Sequence, residues 1–162
     1  LKDKIQILID ELSPALIADG SPRLKTGRPV DLATIVEIEK QIGINIPNDY
    51  QQFLETYGWL GIGDVFFFGI WADNPNATSG ATILGETLRL REKCQLPHYL
   101  LPFFGSEYTS YVCLNTSPVE TPHRVVFFDS ETGQIDECTH AKSFGAFLEG
   151  FLTDWLESIK DR

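Results

Sequence analysis

Methionine is absent from this chain of 162 residues, so its natural start is expected to be missing and its N-terminus processed or trimmed. Long apolar runs are absent too. None approaches the ~20 consecutive apolar residues of a membrane-spanning helix; the longest, around Val65–Phe68 and Val125–Phe128, have the length of buried strands. The opening residues, Leu1 to Ile9, mix lysine, acid and apolar positions. A secretory signal would place a basic segment before an unbroken apolar one, and that order is missing. Cysteine is scarce and odd in number. Cys94, Cys113 and Cys138 form no C-x-x-C pair, which excludes a disulfide framework and implies a reducing compartment, the cytoplasm. Cys113 and Cys138 lie in apolar, strand-like surroundings and read as plain buried thiols. His98, His123 and His140 show no H-x-H or H-E-x-x-H spacing, so no metal or cofactor is implied. A basic stripe is lacking as well: the net charge is −10 and the pI about 4.6. That balance argues against nucleic acid and against anionic membrane surfaces as partners.

What is present is the composition of a folded domain. The hydrophobic fraction is 43% and the aromatic fraction 12%, enough for a core without disulfide or metal staples. The chain shows no internal repeat, low-complexity tract or linker, so residues 1–162 read as one domain. Its charge is uneven. Residues 1–30 carry five basic and four acidic groups, while residues 101–162 carry four basic and ten acidic ones. An acidic C-terminal half is suited to steering a basic partner, although acidity also simply confers solubility. Two N-x-[ST] matches, Asn76–Thr78 and Asn115–Ser117, read as loop residues.

The periodicity predicts a helix over Lys2–Ala18 interrupted at Pro14, then an exposed loop over Gly20–Pro29. Asp31 caps a predicted helix through Ile42, with Ile35, Ile38 and Ile42 on one face and Gly43 as its stop. A second helix, capped by Asn48 or Asp49, carries Tyr50, Phe53, Leu54 and Tyr57 as a stripe and closes at Gly58. Asp64–Trp71 reads as a strand and Ile83–Lys93 as a helix. Leu100–Phe104, Tyr111–Leu114 and Val125–Asp129 read as strands, and Ser130–Gly133 as a hairpin loop returning through Gln134–Cys138. Ser143 caps a last helix with a broad apolar face from Phe144 to Ile159. Strands without intervening helices imply hairpins, so the class is α+β: a mainly antiparallel sheet with helices packed on one side.

The order of these pieces is more specific than any one of them. IVEIEKQIGINIPNDYQQFLETYG, residues 35–58, resembles the helix–turn–helix opening of the SUKH superfamily, which includes the Smi/Knr cell-wall regulators. The matching positions are Glu39, Gly43, Ile44, Ile46, Pro47, Asp49, Tyr50, Phe53, Leu54 and Gly58. YLLPFFGSEYTSYVCLN, VVFFDSETG and SFGAFLEGFL continue the resemblance, which covers about residues 31–156. Departures fall on loops, at Ser106–Ser110 and Trp59–Gly61. The resemblance implies a non-enzymatic protein-binding module. Its bacterial form implies an immunity protein that binds and neutralises a polymorphic toxin, often a basic nuclease. Its eukaryotic form implies an intracellular scaffold or regulatory module of the Smi/Knr type.

The residues offer little catalytic alternative. A Cys113–His123 pair across adjacent strands is the less favoured reading of those two residues. Gly58–Gly63 superficially matches a phosphate loop, but it follows a helix and leads into a strand, the reverse of what phosphate binding needs. It reads as a helix stop and tight turn. Asp129 with Glu131, and Asp136 with Glu137, read as solvated hairpin residues before they read as an acid and base. With Asp64, Glu107 and Glu120 they are candidates for an acidic partner-binding patch. Phe67 must face opposite to Phe66 and Phe68, either under a helix or in an exposed patch. Trp59 and Trp71, in loop-like flanks of that strand, are candidate interface anchors.

Overall fold

The computed structural model describes residues 2–105, 110–118 and 124–162. Local chemistry explains the first helical pair. Helix α2 (Leu32–Ile42) starts at Asp31, whose Oδ1 accepts the Thr34 N–H at 2.8 Å; these hydrogen bonds to Thr34 hold the carboxyl below its ordinary pKa. Gly43 closes the helix at φ 70°, a backbone conformation that costs glycine little. Glu39 then does two jobs. Its carbonyl accepts from Gly43 and Ile44, and its Oε2 accepts the Ile46 N–H at 2.6 Å. One side chain thus fixes the turn that buries Ile44 and Ile46 and leads into α3 (Asn48–Tyr57).

Neither Asn48 nor Asp49 caps α3, contrary to the sequence reading; Pro47 stands at that cap without a side-chain bond. Asp49 is drawn elsewhere. Its Oδ1 accepts the Tyr50 N–H, and its Oδ2 accepts Gly145 N–H at 2.9 Å in the first turn of α5 (Phe144–Lys160). Ser143 Oγ takes the neighbouring Ala146 N–H at 3.1 Å. Two of the four orphan donors of α5 are thereby satisfied, one by a residue 96 positions away.

Helix α1 runs unbroken over Lys2–Asp19 with Pro14 inside it, so the expected interruption does not occur. Pro14 is exposed, while Ile5, Ile9, Leu12 and Leu16 are buried along the face that packs on α5. Four such side chains at roughly 1.5–3 kcal/mol each outweigh the ~3 kcal/mol penalty of an interior proline.

Among the described residues the sheet has seven strands in sequence order, every neighbouring pair antiparallel. They are β1 (Leu24–Thr26), β2 (Leu60–Ile62), β3 (Val65–Phe67), β4 (Leu100–Gly105), β5 (Ser110–Asn115), β6 (Arg124–Asp129) and β7 (Ile135–Glu137). β1 lies in the segment read as loop, and β2 in the glycine-rich turn; both are three-residue strands made by their pairing, not by their own alternation. Gly63 supplies φ 62° at the first position of the two-residue β2–β3 hairpin. The fold is the expected α+β class.

One irregularity shapes the core. In β4, Phe103 and Phe104 together oppose the single residue Val112, a β-bulge that lets consecutive side chains share one face. Phe103 meets Phe144 and Phe147, and Phe104 meets Phe147 and Phe151, all at centroid distances of 5.2–5.4 Å. Phe67 lies fully buried among these rings, under α5. Tyr50 stacks on Phe144 at 4.2 Å and donates its hydroxyl to Phe68 O at 2.6 Å. On the reverse face lie Phe66, Phe68 and Tyr111, and Arg89 of α4 (Ile83–Cys94) reaches the Tyr111 ring there.

Candidate functional site

Strand order decides which of the expected site residues can act together. Trp59, Asp64 and Trp71 flank β2 and β3, whereas Asp129, Glu131, Asp136 and Glu137 belong to the β6–β7 hairpin at the opposite edge. At ~4.8 Å per strand the two groups stand roughly 15–20 Å apart. They do not form one patch. Glu107 and Glu120, like His123, lie outside the described residues.

The β6–β7 hairpin shows how local bonding sorts its carboxylates. Asp129 is occupied by the turn: its Oδ1 accepts Glu131 N–H at 2.8 Å and Thr132 N–H at 3.1 Å, and Gly133 completes the loop at φ 74°. Glu137 pairs with Arg124 across β6 and β7. Asp136 takes both its bonds from Gln134 Nε2, at 3.1 and 3.2 Å. Glu131 is exposed, and its carboxylate has no partner among the described residues. Glu131 and the Gln134-bonded Asp136, both exposed, are the carboxylates of this hairpin that neither close its turn nor pair with an arginine.

The other end of the sheet holds a cleft of about 560 Å³ between Trp59 and Trp71, with Phe66 in its floor and Arg28 and Asp73 on its rim. Two smaller clefts adjoin it. One, of about 460 Å³, shares Trp59 and Phe66 and adds Arg23, Lys25 and Gly61; the other, of about 390 Å³, shares Phe66, Gly80 and Ala81 and adds Asp64, Glu86, Arg89 and Tyr111. Glycines make this surface. A Cβ on Gly27 would stand 2.4 Å from the Trp59 indole, and one on Gly61 2.7 Å from the Phe66 ring. A Cβ on Gly69 would fall 1.7 Å from Gly58 O. The backbone is thus packed closely against itself and against both rings. Arg89 is held by Glu86 at 2.5 Å and by the Tyr111 hydroxyl at 2.8 Å.

Trp59 and Trp71, expected from the sequence as interface anchors, both line this cleft, whereas Phe66 in its floor and Arg23, Lys25 and Arg28 as its cationic border were not anticipated. The clustered glycines were the available signal for the close approach. The three cations carried none, because the strand that aligns them is invisible locally.

Possible chemistry is sparse on both edges. Cys113 is fully buried, and burial pushes its thiol pKa far up, the opposite of what a nucleophile needs. Cys138 Sγ lies 3.6 Å from the His140 ring nitrogens, a proximity not anticipated, with Cys138 buried and His140 exposed. Among the described residues no group of three or more His, Cys, Asp or Glu could hold a metal ion. No described helix is long and apolar enough to cross a membrane.

The arrangement defines an α+β domain with a single antiparallel meander, clamped by α1, α3 and α5 and carrying two chemically distinct edges. The family model SUKH_5, described as SMI1-KNR4 cell-wall, matches residues 5–153. The chain belongs to the SUKH superfamily as a Smi/Knr-type module. No curated protein matches it.

Proposed function

We propose that this chain is a non-enzymatic protein-binding module, an immunity protein that binds and neutralises a polymorphic toxin domain with a basic surface. The observation that carries this reading is where the family's own residues go. Glu39 holds the α2–α3 turn, Asp49 caps α5, and Tyr50 stacks on Phe144 and bonds Phe68 O. These residues of the family resemblance are consumed by the scaffold, which leaves the exposed surface to carry partner binding. The chain carries a net charge of −10 and displays Glu131 and Asp136 at a sheet edge, a disposition that steers basic partners. A buried, high-pKa Cys113 and the bonding of the hairpin carboxylates to turn and arginine support the non-enzymatic part.

The test is co-expression with candidate toxin domains. Growth rescue with co-purification is the expected result, and association should slow when Glu131→Lys and Asp136→Lys are combined. Failure of every basic toxin domain to co-purify would count against the toxin reading and leave the scaffold or regulatory role of the Smi/Knr type.

A further inference from the structure

The aromatic end of the sheet has the opposite chemistry to the β6–β7 edge. Its three clefts are joined through Phe66, and successive clefts share Trp59 or the Gly80–Ala81 backbone. They therefore form one track across β1, β2 and β3. Three strands at ~4.8 Å make it roughly 10–15 Å long, the reach of about three to five extended residues at ~3.3 Å each.

Charge identifies what fits. Arg23, Lys25 and Arg28 border the first two clefts, are exposed, and make no ion pair with any described residue. Against them stands Asp73 in these two clefts; the third cleft adds Asp64 and a Glu86 already paired with Arg89. In a protein of net charge −10, this is a local cationic border around an apolar floor. The side-chain N–H groups of Trp59 and Trp71 donate to no described residue, so both are available to an incoming acceptor.

We propose that this track binds an extended acidic peptide segment of a protein partner. An apolar side chain sits on Phe66 between Trp59 and Trp71, and flanking carboxylates meet Arg28 and the Arg23–Lys25 pair. Alternation along an extended chain presents apolar and acidic residues in turn, which matches the single floor and its separated cations. The site stands on its own geometry and does not depend on the toxin reading.

The experiment follows the indole N–H signals of the ¹⁵N-labelled full chain. The probe is the peptide Asp-Leu-Asp-Leu-Asp-Leu, with Lys-Leu-Lys-Leu-Lys-Leu, Asp-Ser-Asp-Ser-Asp-Ser and a thymidine hexanucleotide as comparisons. The acidic apolar peptide should shift Trp59 and Trp71 while leaving Trp155 in place. Lys25→Glu and Arg28→Glu, both at exposed positions that preserve the fold, should each weaken it at least about fivefold. Equal shifts at Trp59 and Trp71 from the lysine peptide would show that bulk acidity dominates and overturn the charge argument. Equal shifts from the serine peptide would overturn the apolar seat. Shifts from the hexanucleotide alone would replace the peptide with a single-stranded nucleic acid, and no indole shift from any probe would dispose of the site.

Discussion

The two ends of the sheet are built by different means. At the β1–β3 end, glycines bring backbone against backbone and backbone against ring, so Trp59 and Phe66 pack directly on Gly27 and Gly61. At the β6–β7 end the loop is open: Gly133 has nothing within 4 Å of where its Cβ would stand, and the carboxylates are held by turn amides, Gln134 and Arg124. One end is specified by packing that tolerates no added atom, the other by hydrogen bonding in water. A surface of the first kind holds a shape for a ligand to fit. One of the second kind holds a charge that acts at a distance.

Substitutions should expose this difference in graded order. Gly69→Ala places a methyl 1.7 Å from Gly58 O and should destabilise the chain by at least ~3 kcal/mol, seen as a lowered urea midpoint or failure to fold. Gly133→Ala suffers only its positive φ and should cost about 1 kcal/mol. Equal effects would mean that the tight packing is not what holds the aromatic end.

Tyr50→Phe removes the buried bond to Phe68 O beside that end and should cost roughly 1–2 kcal/mol. Burial raises the Tyr50 pKa well above 10.0, so the folded state keeps the proton that the unfolded state releases. The Tyr50 contribution is full below pH 10 and is lost as pH rises beyond it. Alkaline unfolding should therefore be steeper for the native chain than for Tyr50→Phe. At the acidic edge, Glu137→Gln breaks an exposed pair with Arg124 and should change stability by less than ~1 kcal/mol. Smallest of all, Cys113 should resist a thiol reagent until the chain unfolds, while half-buried Cys94 reacts in the native state.

Much of the fold was legible because its determinants are local. Asp31, Ser143 and Gly43 mark helix ends by chemistry within four residues, and the alternation of Phe66, Phe67 and Phe68 assigned their faces. Where determinants are distant, the reading failed. Leu24–Thr26 becomes a strand only against β2, Asp49 abandons its own helix for Gly145, and Pro14 is carried by packing on α5. The candidate site divided the same way. Tryptophan is conspicuous in any context, whereas Arg23, Lys25 and Arg28 acquire meaning only when β1 lines them along a cleft.

The partnership of α1 with α5 has a temporal consequence. Lys4 pairs with Glu149 and Arg162 with Asp19, so α1 lies parallel to α5, more than a hundred residues later. During synthesis at roughly 5–20 residues per second, the apolar stripe of Ile5, Ile9, Leu12 and Leu16 must wait on the order of ten seconds for its cover. The hairpins of the meander, each made from adjacent strands, can close as they emerge. Emergence of α5, rather than sheet formation, is then the event that covers α1.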